Sequence, residues 1–175
     1  MKSLPTLALA VSLVLALAAP ARAGKPHEHG AAQLDVALDG TMLSLSLESP
    51  LDDLVGFERA PRTEAEKRAA AAAIATLRAA DALFVIDPAA GCKSTSVELR
   101  SAPLGLGAAE AAKDDGHGDL DGDFVFKCRS APAYLDVGLF KAFPRLGRLD
   151  VQVAAPKGQR KFALTRTAQR IALPR

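Results

Sequence analysis

Tryptophan is absent from this chain of 175 residues, tyrosine occurs once, cysteine twice and histidine three times. So few aromatics, with no basic cluster interleaved among them, exclude a stacking or groove-reading surface for nucleic acid. Catalytic signatures are missing as well. There is no Gly-x-Ser-x-Gly elbow, no His-Glu-x-x-His helix and no phosphate-binding loop, so an enzyme is not expected. After the first 23 residues no apolar run is long enough to span a bilayer.

Met1 to Ala23 has the layout of an export signal. Lys2 supplies a positive start, Leu4 to Ala19 an uncharged apolar stretch, and Ala21-Arg22-Ala23 the small-x-small cleavage pattern. Cleavage is expected after Ala23. No cysteine follows the cut, which argues against a lipoprotein. The remaining residues 24–175 have the length of one domain able to bury a core. Lys2 and Arg22 lie ahead of the cut, which leaves basic and acidic residues equal at 20. An exported chain meets an oxidising compartment, here the periplasm, so Cys92 and Cys128 are expected to pair. A thiolate pair on a metal is the alternative reading.

Leu34, Val36 and Leu38 alternate with polar residues, and after Asp39-Gly40 the alternation resumes at Leu43, Leu45 and Leu47. Asp-Gly between two such runs predicts a type I′ hairpin in which Leu38 faces Thr41, Val36 faces Leu43 and Ala31 faces Glu48. Thr63 with Glu66 forms a capping box ahead of an alanine-rich helix over 63–80, whose buried stripe includes Ile74 and Leu77. A short apolar run follows at 83–86, and further strands are expected at 94–100, 121–129, 148–154, 160–165 and 170–173, with a short strand or helical turn within 134–143. The expected class is α+β: a largely antiparallel sheet with one main helix, a single domain stapled by one disulfide. Residues 102–122, rich in Gly, Ala and Asp, are expected to form an acidic loop.

The candidate chemistry sits at the start of the processed chain. His27 and His29 are spaced i, i+2, so in a strand both imidazoles leave the same face, and neutral imidazole suits zinc or copper. Carried back along the hairpin, that face is the solvent side. Glu48, opposite Ala31, is then diagonal to His29 and within reach of a shared ion. Two histidines and a carboxylate suit zinc, with water or another side chain completing a tetrahedron. Asp119, Asp121 and Asp123 resemble the start of a calcium loop. Phe124 and Ser130 stand where glycine and glutamate are needed, so calcium is excluded. His117, among Asp114, Asp115 and Asp119, is a looser cation candidate. Asp52, Asp53 and Glu58 read as acids that shape a loop.

Several phrases occur together in order: His27-Glu28-His29-Gly30-Ala31-Ala32, Glu48-Ser-Pro-Leu-Asp-Asp-Leu-Val-Gly-Phe-Glu-Arg-Ala-Pro61, Gly91-Cys92, Phe124-Val-Phe-Lys-Cys128, and Leu135-Asp-Val-Gly-Leu-Phe-Lys-Ala-Phe-Pro144. With them the chain resembles the ZrgA-like family of bacterial periplasmic zinc-uptake proteins, along essentially all of its processed length. The resemblance implies zinc binding in the periplasm in support of a high-affinity importer, with metal passed to the importer's solute-binding protein. It implies His27 and His29 as ligands, His117 as an auxiliary ligand from the loop between the cysteines, and Glu58 as a further candidate beside Glu48. This chain departs from the family pattern twice. Arg59 stands where a histidine is usual, and the loop carries one histidine instead of many. Both departures point to a small site. The alternative reading is a metal-independent envelope interaction module whose histidines are incidental.

Overall fold

The alternation between Ala32 and Leu47 forms two long antiparallel strands, β1 (Ala31–Asp39) and β2 (Met42–Pro50). Their even positions on β1 and odd positions on β2 are buried, and the intervening ones are largely exposed, as period-2 patterning dictates. The computed structural model describes residues 30–107 and 118–174. After β2 the chain continues through α1 (Leu51–Val55), α2 (Glu64–Arg78), α3 (Ala80–Leu83), β3 (Phe84–Ile86), a 3₁₀ turn (Pro88–Ala90) and β4 (Lys93–Arg100). β5 (Asp119–Lys127), β6 (Tyr134–Val137), α4 (Leu139–Ala142), β7 (Arg148–Ala155), β8 (Gly158–Thr165) and β9 (Arg170–Ala172) complete it.

Two sheets result. Six strands order as β4-β5-β2-β1-β7-β8, and three short ones as β3-β6-β9. Among the described strands, β1 with β7 is the one parallel pair, so the class is α+β and mostly antiparallel, as expected. One face of the large sheet carries Leu34, Leu45, Phe124 and Val151, all essentially inaccessible to water. Phe84, Leu135 and Ile171 of the small sheet and Leu77 of α2 join the same apolar cluster. Phe84 meets Phe124 edge-on, with ring centroids 4.9 Å apart, a geometry that adds to the area both rings bury. Asp35, Ser44, Ser46 and Glu48 lie exposed on the opposite face.

The main helix, α2, begins as its capping box requires. The Thr63 hydroxyl accepts from the Glu66 amide at 3.1 Å, and the Glu66 carboxylate accepts from the Thr63 amide at 3.1 Å. Its buried residues are Ala70, Ala73 and Leu77, with Ile74 only half-buried. Cys92 and Cys128 form a disulfide, the first of the two readings for that pair. Among the described residues no helix is long and apolar enough to cross a membrane.

Two expectations are corrected. The hairpin register is displaced by two residues: Asp39 pairs with Met42, Val36 with Leu45 and Gln33 with Glu48. A type I′ turn on Asp39-Gly40 needs positive φ at both residues, whereas positive φ here is confined to glycine. Gly40, at φ 56°, takes the first loop position and Thr41 the second, the pattern of a type II′ turn. A shift of two keeps every side chain on its face, so the core pattern survives while each partner changes. The acidic stretch from Asp119 to Gly122 is also strand, not loop, since β5 starts at Asp119.

Candidate metal centre

His27, His29 and His117 all lie outside the described residues, so the site is approached from what flanks them. Gly30, covalently next to His29, is held from three sides. Its amide donates to Oδ1 of Asp53 at 2.6 Å, and its carbonyl accepts from the amides of Gly147 and Arg148, each at 2.9 Å. Gly30 has φ +85°, a conformation that favours glycine. Gly118, covalently next to His117, is held by the same short helix: its carbonyl accepts from the Leu51 amide at 2.8 Å. It is also pressed onto Glu58, for a Cβ built on Gly118 would run into the Glu58 carbonyl oxygen. Residues 51–58 therefore grip the chain points that lead to His29 and to His117.

That bracket is built locally. Leu51 is fully buried and anchors α1 in the core. Gly56 ends the helix in the left-handed region at φ +87° and lies 3.6 Å (from a built Cβ) from the Arg145 guanidinium. Nε of Arg145 donates to the Asp52 carbonyl at 2.9 Å, and its Nη2 meets the Asp52 carboxylate at 3.2 Å. Oδ2 of Asp53 and Oε1 of Glu58 are both sealed from solvent. Carboxylates placed so are costly unless they are hydrogen-bonded or meet a cation.

Arg59 does not idle where a ligand was expected. Its Nη2 and Nη1 donate to Oε1 and Oε2 of Glu66 at 2.7 and 3.1 Å. Oε2 of Glu66 also accepts from the Arg62 amide at 2.6 Å. Hydrogen bonds from Arg59, then from the Arg62 and Thr63 amides, hold the Glu66 carboxyl down at about 2. The residue after Glu58 is thus clamped to the N-terminus of α2.

The corrected register moves Glu48. It lies opposite Gln33 on β1 and opposite Asp121 on β5, instead of opposite Ala31. The diagonal to His29 that recommended it is therefore gone. Its surroundings are acidic. The Asp121 carboxyl is raised above its ordinary value, chiefly by burial, with the Asp123 charge adding to the effect. Burial works against Asp123 too, yet hydrogen bonds from Ser46 and Arg100 outweigh it and hold that carboxyl low. Asp119, Asp121 and Asp123 alternate along the extended strand β5. Among the described residues, which include no histidine, no three side chains of ligand type come together. Sequence reasoning took Asp53 for a loop former and missed its bond to Gly30. Pro50, the acid pair Asp52-Asp53 and Gly56 are a start-and-stop pattern for a short helix that could have flagged α1.

Compared with known proteins, residues 26–173 match the model of a family described as ZrgA family zinc uptake protein. No curated protein matches the chain.

Proposed function

The chain belongs to the ZrgA family of zinc uptake proteins, and on that premise we propose that it is a periplasmic accessory protein that binds zinc and passes it to the solute-binding protein of an importer. The family match over residues 26–173, which takes in all three histidines, carries this reading. It begins shortly after the expected signal cleavage at Ala23, and the disulfide suits an oxidising compartment. We assign the chain no catalytic role.

In this reading His27 and His29, which precede β1 in the sequence, and His117, which lies between β4 and β5 in the sequence, are ligands, and Glu58 supplies the carboxylate. Three imidazoles and a carboxylate are a donor set for tetrahedral zinc. Grips by the 51–58 segment on Gly30 and Gly118 support their convergence. Glu48, displaced toward Asp121, is left as a nearby acid and not a ligand. Few ligands on one small site suit transfer better than storage.

Elemental analysis of untagged protein prepared from a periplasm tests the proposal. About one zinc per chain is expected, together with a chelator-sensitive melting temperature. Protein with no bound metal, and no thermal shift on adding zinc, would favour a metal-independent interaction module instead.

A further inference from the structure

We infer that the open face of the large sheet is a binding site for a short peptide with free termini. Asp35 receives its ammonium end, Lys161 receives its carboxylate end, and Ala37 and Ala154 form the floor beside them. The site lies wholly on the described strands and does not depend on the zinc-binding reading.

The face opposite the core is concave. A cavity of about 660 Å³ opens on it, a volume typical of small-ligand pockets. Its floor is a row of small side chains. Ala37 stands opposite Ser44 on one side and opposite Ala154 on the other, and all three are exposed. Alanine is a poor strand former, so two alanines at the centre of an exposed face are not explained by strand propensity. What they provide is room.

Beside that floor runs a row of polar groups, in strand order Asp123, Ser46, Asp35, Gln152 and Lys161. Asp123 is already engaged, since it accepts from the Ser46 hydroxyl at 2.7 Å and from Nη2 of Arg100 at 2.7 Å. Among the described residues the side chains of Asp35 and Lys161 have no such partner, and Arg160 lines the cavity beside Lys161, likewise unpaired. Opposite charges with the neutral Gln152 between them select a dipolar ligand. Neighbouring strands lie about 4.8 Å apart, so the α-carbons of Asp35 and Lys161 are separated by about 10 Å. The ammonium and carboxylate of a single amino acid share one carbon atom and do not reach both. An extended chain of three residues spans about 10 Å and does. The Gln152 amide, both donor and acceptor, suits the peptide groups between. A second copy of this chain fits less well, because two concave faces laid together leave a void.

Isothermal titration calorimetry of the full chain, with tri-alanine as the probe, tests the site. Saturable binding with a Kd in the low millimolar range or below is expected for so small a ligand. Acetylating the amine or amidating the carboxylate should each weaken binding about fivefold, the upper contribution of an ion pair open to solvent. Asp35→Asn should cost tri-alanine the same factor and the acetylated peptide nothing further. Lys161→Gln should behave likewise toward the amidated peptide. Ala37→Leu, which fills the floor, should weaken every peptide by more than about tenfold.

No saturable heat up to about 10 mM tri-alanine overturns the inference. Equal weakening of free and capped peptides by Asp35→Asn or Lys161→Gln overturns it too, since neither residue would then read a terminus. Asp35, Ala37 and Lys161 are all exposed strand positions. If Ala37→Leu does not fold, Ala154→Leu is read in its place against the same expectation. A chain that sediments as a dimer, and as a monomer once Ala37→Leu is made, would give the face to a second copy and overturn the peptide assignment.

Discussion

Breaking the Cys92–Cys128 bond should cost the fold much and the metal centre little. The two cysteines are 36 positions apart. In the chain-entropy account, closing a loop of that size stabilises the native state by about 4 kcal/mol at 25 °C. For a domain of this size that corresponds to a fall in melting temperature of roughly 10 °C. The bond ties the entry to β4 to the exit from β5, beside the Lys93–Lys127 pair. Arg100 and Asp121, at the other end of the same two strands, flank the connection that carries His117. At about 3.3 Å per residue the disulfide and that end are about 20 Å apart. A Cys92→Ala/Cys128→Ala chain, compared with the oxidised parent by urea unfolding, should therefore lose about 4 kcal/mol. Below its melting range it should bind zinc within about threefold of the parent, since neither sulfur is a ligand in an intact disulfide. A loss under 1 kcal/mol would refute the closure estimate. Loss of zinc from the alanine chain while it is folded would mean that thiolates belong to the site after all.

Three more outcomes are expected. Glu58→Gln should weaken zinc binding at least about tenfold and Glu48→Gln by less than about threefold; the reverse order in a chelator competition would restore the carboxylate that the hairpin register displaced. Arg59 holds the Glu66 carboxyl down at about 2, and a depressed carboxylate contributes stability that is fully present above its unfolded value near 4.5 and lost as pH falls through about 2. The stability gap between the parent chain and Arg59→Ala should accordingly be constant above pH 5 and narrow in acid; a gap that ignores pH would rule out the ion pair as its source. Phe124 is fully buried against Phe84, so Phe124→Ala should cost about 3–5 kcal/mol in denaturant unfolding, and a loss below about 1 kcal/mol would contradict the packing of the small sheet on the large one.

Faces were legible in the sequence where partners were not. Leu34, Val36 and Leu38 announce a half-buried strand because side chains alternate with period two, and that pattern is blind to a register shift of two. The turn decided the register: Asp39 does not take the positive φ that a type I′ turn on Asp39-Gly40 needs, so the loop moves one residue on to Gly40-Thr41. The parallel pairing of β1 with β7, more than a hundred residues apart, and the small β3-β6-β9 sheet leave no periodic trace. α2 was legible because Thr63 and Glu66 mark its start chemically, while α1 spans too few residues to show a helical period. For the proposed metal centre the balance differs. Histidine spacing is what proposes His27 and His29. The choice of Glu48 rested on a strand neighbour that the register replaced, and the bond between Asp53 and Gly30 was hidden because it joins residues 23 positions apart.

Zinc titration of the full, untagged chain against His27→Ala/His29→Ala tests the central claim most directly. The parent chain should take up about one equivalent, with affinity falling as the imidazoles protonate below about pH 6, and the double variant should lose that uptake. A double variant that binds zinc as the parent does would contradict the account.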